Sequence, residues 1–181
     1  MKTDIIWPES ILKATPEALQ RIADSKLVAR NLRDIFPHPY TLDDAVAFLG
    51  NVRQGKMGIV YGMFLNSGEL VGVISLTPGR DVNRYSAEVG YFVGEQYWNK
   101  GYATEALMLV VNFAQYRHNF KRLFATVFDF NLASMRVLEK AGFKKEGIMK
   151  SSAVKDDKVI DEPLYGLVLG KSDIEILRRC L

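Results

Sequence analysis

Cysteine is nearly absent from this chain. Cys180 stands alone among 181 residues, so no disulfide forms within it, and a reducing compartment is expected. Histidine is almost as scarce: His38 and His118 are the two, and no His/Cys cluster has the spacing of a metal site. The richest apolar run, ALMLVVNFA from Ala106, is far shorter than the about 20 residues of a membrane-crossing helix, and MKTDIIWPES carries an apolar triplet rather than a signal-peptide core. These absences point to a cytoplasmic protein without a membrane partner. Net charge is also small. A formal balance of +3 with no basic, aromatic-interleaved face argues against nucleic acid as a partner, while tolerating a small polyanionic ligand. Among fourteen glycines no two are spaced G-x-G, which removes a dinucleotide fingerprint. GNVRQGKM, Gly50 to Met57, satisfies G-x-x-x-x-G-K but ends in Met57 where a P-loop needs Ser or Thr, and it follows a helix instead of a strand.

What is present is the composition of an ordinary globular chain, 48% apolar and 25% charged, enough to bury one core; a single domain over 1–181 is expected. Thr15-Pro16-Glu17 reads as N-cap, first-turn proline and first-turn acid of a helix to about Asp24, and KLVARNLRDI as a second short helix. Pro37 and Pro39 keep FPHPYT out of helix, and Thr41 caps the next one. IVYGMFL and LVGVISLT, joined through Asn66-Ser67-Gly68-Glu69, form a hairpin, and YSAEVGYFV a third strand. A helix from Tyr102 to about Arg117 is apolar on most sides and must be largely buried. RLFATVFDF reads as a strand, LASMRVLEKA as a helix closed by Gly142, and the last hairpin turns at KDDK. Hairpins mixed with strand–helix crossovers give an α/β (α+β) domain whose mixed sheet is covered by helices.

The stretch QYWNKGYATEA, Gln96 to Ala106, stands in front of the buried helix and leaves bare N–H groups from about Trp98 to Ala103 at its positive end. Such a start suits an anion. Taken alone, Gly101 only shapes a tight turn and Asn99 only caps it. With a strand before and a buried helix after, the loop instead fits a phosphate-binding role.

These residues resemble the pyrophosphate loop of the GNAT acyl-CoA-dependent N-acetyltransferase superfamily, Q/R-x-x-G-x-G/A. Gln96-Tyr97-Trp98-Asn99-Lys100-Gly101 fills it, with Asn99 at the first glycine, a residue that tolerates positive φ. AEVGYFVGEQYWNKGYATEAL, NLASMRVLEKAGFKKEG and FPHPYTLDDAVAFL together are similar to the branch containing ribosomal-protein N-terminal acetyltransferases. The resemblance implies a mostly antiparallel central sheet with a splayed cleft, flanked by helices on both faces. It implies an acetyl-CoA-dependent transfer to a primary amine, either a peptide or protein N-terminal α-amine or a small-molecule amine, by direct attack in a ternary complex. A non-catalytic acyl-CoA-binding module is the alternative, and the chain is expected to be a monomer or homodimer.

By that resemblance Trp98, Asn99, Lys100, Gly101, Tyr102, Ala103 and Thr104 bind the coenzyme. Backbone groups near Phe92 and Val93 hold its pantetheine arm, and a strand bulge there offers an N–H to the thioester carbonyl. Glu88, a carboxylate in mid-strand between apolar neighbours, reads either as the base that takes a proton from the acceptor ammonium or as the ion-pair partner of an Arg or Lys. Asn131 caps its helix and, by resemblance, contacts pantetheine. Ser134, in the first turn, hydrogen-bonds the coenzyme or returns a proton to the departing thiolate. Leu138 stands where many family members place a tyrosine acid. Phe36, His38 and Tyr40 are the candidate acceptor residues, although His38 alone also reads as an ordinary loop histidine. His118 reads as compensation of a helix C-terminus. Lys121, Arg122, Lys140, Lys144 and Lys145 are either a solvated face or a seat for the coenzyme's 3′-phosphate.

Overall fold

The computed structural model describes residues 8–170; Cys180 lies outside them. Seven strands form one sheet: β1 (Glu9–Ser10), β2 (Ile59–Phe64), β3 (Leu70–Pro78), β4 (Ser86–Val93), β5 (Arg122–Thr126), β6 (Lys144–Lys155) and β7 (Lys158–Val168), in the order β1-β2-β3-β4-β5-β7-β6. Every neighbouring pair is antiparallel except β4 with β5. Five α-helices accompany the sheet: α1 (Pro16–Ala23), α2 (Lys26–Arg30), α3 (Leu42–Arg53), α4 (Tyr102–Tyr116) and α5 (Leu132–Lys140).

The helix starts follow their caps. Thr15 Oγ1 accepts from the Ala18 N–H, and Thr41 forms a reciprocal capping box with Asp44. α2 is shorter than KLVARNLRDI suggests. The Asn31 N–H bonds back to Ala29 and Val28 in a tight turn, and the Leu32 carbonyl accepts from Lys155, so the chain leaves the helix at Arg30. β5 likewise stops at Thr126, short of the expected VFDF. The Val127 N–H donates to the Pro163 carbonyl, and proline has no N–H to return. The closing hairpin turns at Asp156 and Asp157, both with positive φ, and Gly142 ends α5 with φ 90°.

α4 packs against β3 and β4, α1 against α3 and β3, and α5 against α4 and β6. One contiguous apolar core results, with Leu107, Val110, Ala114, Leu123, Leu138 and Ile74 fully buried. The sides of α4 that face this core account for the apolar pattern of its sequence. Truncating Leu107 to alanine leaves a cavity in this layer, and the urea midpoint should report a loss of about 3 kcal/mol with an unchanged slope.

Candidate active site

β4 and β5 are paired over three residues only, Ser86 with Arg122, Ala87 with Leu123 and Glu88 with Phe124. Beyond Glu88 they part, and a cleft of about 710 Å³ opens between Val89–Val93 on one side and Ala125–Phe128 on the other. The pairing of β4 with β3 runs without a register shift from Ala87 opposite Pro78 to Val93 opposite Gly72. The expected bulge is therefore absent from this pairing, and the strand's alternation decides which backbone groups are free.

That alternation is set by four bonds. The Gly79 N–H donates to Ser86 O and the Gly94 N–H to Val71 O, whereas Tyr85 O accepts from Lys121 and Arg122 on the β5 side. Even-numbered residues of β4 thus turn their amides to β3, and odd-numbered ones turn them to β5 or, past Glu88, into the cleft. This corrects the placement of the backbone contacts. Phe92 is committed to β3, and the Val93 carbonyl accepts from the Trp98 indole N–H at 2.7 Å. The groups aimed into the opening are those of Val89 and Tyr91, with the N–H of Val93.

At the far end of the cleft the loop before α4 has the backbone expected of it. Asn99 has φ 62° and Gly101 φ 84°, and a Cβ on Gly101 meets no protein atom within 4 Å. Trp98, Asn99, Gly101, Tyr102, Ala103 and Thr104 line the cleft. The run of bare amides starts later than expected, because the Trp98 N–H donates to Glu95 O; within α4 the first intrahelical donor is Glu105, to Gly101 O. Lys100 is not among the lining residues, and its Nζ sits over the Tyr97 ring, 5.4 Å from the centroid. Of the basic residues considered for a phosphate, Lys140 lines the cleft, together with Arg136. Arg122 is instead paired with Glu146, and Lys121 bonds Asn119.

Glu88 lines the other end. Its Oε1 accepts from Arg33 Nη2 at 2.6 Å, and the same nitrogen lies 3.5 Å from Thr126 Oγ1. The Arg33 partner comes from the α2–α3 loop, 55 residues away in sequence. Lys155, 7% exposed, holds the residues on both sides of Arg33: Nζ donates to Leu32 O at 2.7 Å and to Asp34 Oδ1 at 2.6 Å. The aromatic wall also forms. Phe36 stacks on Tyr40 at 5.0 Å and meets Phe92 edge-on at 5.4 Å, and all three rings line the cleft. His38 does not line it. Its Nδ1 lies 3.6 Å from Asp24 Oδ1, which also accepts from the Tyr40 N–H.

Asn131 caps α5 by accepting from the Ser134 N–H at 3.1 Å, and both residues line the cleft. The Ser134 hydroxyl is 2.9 Å from the Tyr91 hydroxyl, which also donates to Ser134 O at 3.2 Å. Sequence reasoning missed Tyr91, since its ring comes from β4 and not from the buried position of Leu138. Burial pushes the Tyr91 phenol far above its ordinary value, against the smaller opposing effect of the Ser134 bond. His118, beyond the end of α4, is paired with the Tyr61 hydroxyl at 3.0 Å. Among the described residues no group of three His, Cys, Asp or Glu side chains has metal-site geometry, and no helix is long and apolar enough to cross a membrane.

Residues 12–144 match the family described as the acetyltransferase (GNAT) domain. Curated relatives include a probable N-acetyltransferase, YjcK of Bacillus subtilis, 42% identical over 93 residues, 51% of each chain. An uncharacterized N-acetyltransferase, YoaA of the same organism, is 33% identical over 116 residues, 64% of this chain and 65% of its own. The chain thus spans about half to two-thirds of the length of these curated relatives. Among solved structures, the ribosomal L7/L12 alpha-N-protein acetyltransferase RimL in complex with coenzyme A superposes with TM-score 0.79 at 19% identity, over 90% of this chain and 93% of that one. A GNAT acetyltransferase from Bacillus anthracis superposes with TM-score 0.77 at 24% identity, over 91% and 98%. At these identities the likeness to the solved structures is one of fold.

Burial, followed by the charge of Asp44, pushes Tyr40 up to about 12. A phenol raised in the folded state contributes stability that is complete below pH 10 and is lost as pH rises from about 10 through about 12. Urea unfolding across that window should give a falling stability, and Tyr40→Phe should flatten the fall by up to about 1.4 kcal/mol per pH unit. An identical slope in the variant counts against the assignment.

Proposed function

The chain belongs to the acetyltransferase (GNAT) family, and from that premise we propose that it moves an acetyl group from acetyl-CoA to a primary amine by direct attack, with both substrates held in the β4–β5 cleft. The observation that carries this reading is the opening itself: bare helix-start amides at one end, a carboxylate at the other, and an unpaired strand edge between them. Glu88 and Val93 are five residues apart on β4, on the order of 16 Å at strand rise, so an extended arm laid along the edge connects the two ends.

The residues present fit the coenzyme. The positive φ at Asn99 and Gly101, with open space where a Gly101 side chain would stand, leaves the first-turn amides of α4 free for a pyrophosphate. Lys140 and Arg136 offer cations beside it. The amides of Val89, Tyr91 and Val93 pair with the arm as a further strand would, and one N–H among them polarises the thioester carbonyl. In the reaction the amine nitrogen forms a bond to the thioester carbon and the carbon–sulfur bond breaks. Nitrogen gives up two protons. Glu88 accepts the one that frees the lone pair, and the other passes through Ser134, which takes it from the tetrahedral adduct as it gives its own hydroxyl proton to the thiolate; the Tyr91 hydroxyl holds that Ser134 hydroxyl in place. A thiol is a good leaving group, so the Ser134 step adds less than orientation and carbonyl polarisation do.

One observation favours a binding module without turnover: Arg33 already occupies a Glu88 oxygen. Release of free thiol in the presence of an amine separates the two readings. Acetyl-CoA is expected to raise the melting temperature, as any ligand of the folded state does, while NAD and ATP leave it unchanged. Equal shifts with all three would sink the coenzyme assignment. Gly101→Ala and Gly101→Val should reduce and then abolish the shift, since a side chain at φ 84° is strained there and takes up the open space beside the loop.

A second measurement separates binding from chemistry. Glu88→Gln should lower kcat by about 100-fold with little change in the acetyl-CoA dissociation constant, and Ser134→Ala by about tenfold. A Glu88→Gln enzyme of full activity would move the base to water.

A further inference from the structure

We propose that the Arg33–Glu88 pair is a template for a zwitterionic acceptor: the preferred amine is the α-amine of an apolar α-amino acid whose own carboxylate binds Arg33. The proposal rests on acetyl transfer at this cleft and names its acceptor class.

The charges of the acceptor end are few. Arg33, Glu88 and Glu162 are the charged side chains lining the cleft there, and Glu162 accepts from the Ser152 hydroxyl at 2.9 Å. Arg33 holds one oxygen of Glu88, Oε1, and an ammonium brought to this carboxylate competes with the guanidinium for its charge. Apart from Glu88, Arg33 has Thr126 Oγ1 at 3.5 Å, too long to satisfy a planar five-donor group. A simple monoamine therefore gains an ion pair while weakening another. An acceptor with an anion next to its amine gains two, because its carboxylate offers the guanidinium a second partner. Arg33 Nη2 and Glu88 Oε1 are 2.6 Å apart, so the two groups of the acceptor must also be close, as they are when carried on one carbon.

The placement of Arg33 supports a recognition role over a merely solvated one. Its side chain is 63% exposed, yet both neighbouring residues are fixed by the buried Lys155. The backbone under the guanidinium is thus held while the guanidinium itself stays accessible. Next to it, Ile35 is 92% exposed and lines the cleft with Phe36 and Phe92, an apolar surface suited to an aliphatic or aromatic side chain.

The test compares paired acceptors by thiol release: leucine, methionine and phenylalanine against their carboxamides, with spermidine and a lysine side-chain amine alongside. Intrinsic reactivity opposes the expectation, because the amine of a carboxamide loses its proton more readily than one beside a carboxylate. We expect the free acids to exceed the amides by about tenfold or more in kcat/KM. Arg33→Gln should cost the acids about 30-fold, mainly in KM, and the amides no more than about threefold, with Arg33→Lys recovering part of the loss. The coenzyme-induced thermal shift should persist in both variants. Amides faster than acids in the wild type, or equal losses for both in Arg33→Gln, would overturn the template. Turnover of spermidine or lysine alone would overturn it while leaving acetyl transfer in place. Absence of thiol release from every amine, with coenzyme binding intact, would remove both.

Discussion

The short parallel contact between β4 and β5 is what the rest of the molecule depends on. Three residue pairs join the strands, and each is then held as a strand only by its antiparallel partner on the far side, β3 for β4 and β7 for β5. A strand edge inside a protein leaves amides and carbonyls that must find partners. Here one carbonyl, that of Val93, is closed by the Trp98 indole, which also fixes the start of the loop leading into α4. The remaining groups are available to a ligand that presents its own amides in extended form. Because only residues 94–101 separate the end of β4 from the start of α4, the bare helix-start amides lie close to the end of the strand edge.

Charge at the other end is organised around the α2–α3 loop. Such a loop has no ladder of its own to order it, and two ion pairs supply the constraint: Arg33 to Glu88 across the cleft, Asp34 to Lys155 on the hairpin of β6 and β7. The second pair is asymmetric, since Lys155 is buried and Asp34 mostly exposed. The Leu32 carbonyl completes the shell of the buried ammonium, without which its desolvation would be unfavourable. The early end of α2 follows from the same bond, because a carbonyl committed to Lys155 lies outside the helical path.

This division explains what was legible in the chain beforehand. Local rules carried the caps of Thr15, Thr41 and Asn131, the hairpin turns, the buried character of α4 and the tolerance of Asn99 for positive φ; all of these lie within a few residues of their causes. The alternation of β4 was also readable as side chains, Ala87 and Val89 inward and Glu88 apart from them. Its backbone parity was not, since which amides face the opening depends on the partner strand. The Phe92 backbone, expected to face the opening, therefore faces β3, and the groups of Val89 and Tyr91 face the opening instead. Arg33, Lys155 and the Tyr91–Ser134 contact were hidden for a related reason: each joins residues 43 to 121 positions apart, and no local pattern marks a pair so distant. His38 failed in the opposite direction. Its neighbours Phe36 and Tyr40 do line the cleft, but the loop turns its ring to Asp24.

The two parities of β4 together give the proposed reaction its geometry. Glu88 and Phe92 project on one face, where Arg33, Phe36 and Tyr40 gather. Tyr91 projects on the other, where α5 brings Ser134. A carboxylate and a hydroxyl thus flank the strand edge from its two faces. Gly90 lies between Glu88 and Phe92 and carries no side chain, and a Cβ there would meet nothing closer than Ser75 Oγ at 3.5 Å. The space over Gly90 is therefore a gap on this face, flanked by a carboxylate and an aromatic ring. Any larger residue at 90 would leave both walls standing and fill the gap between them.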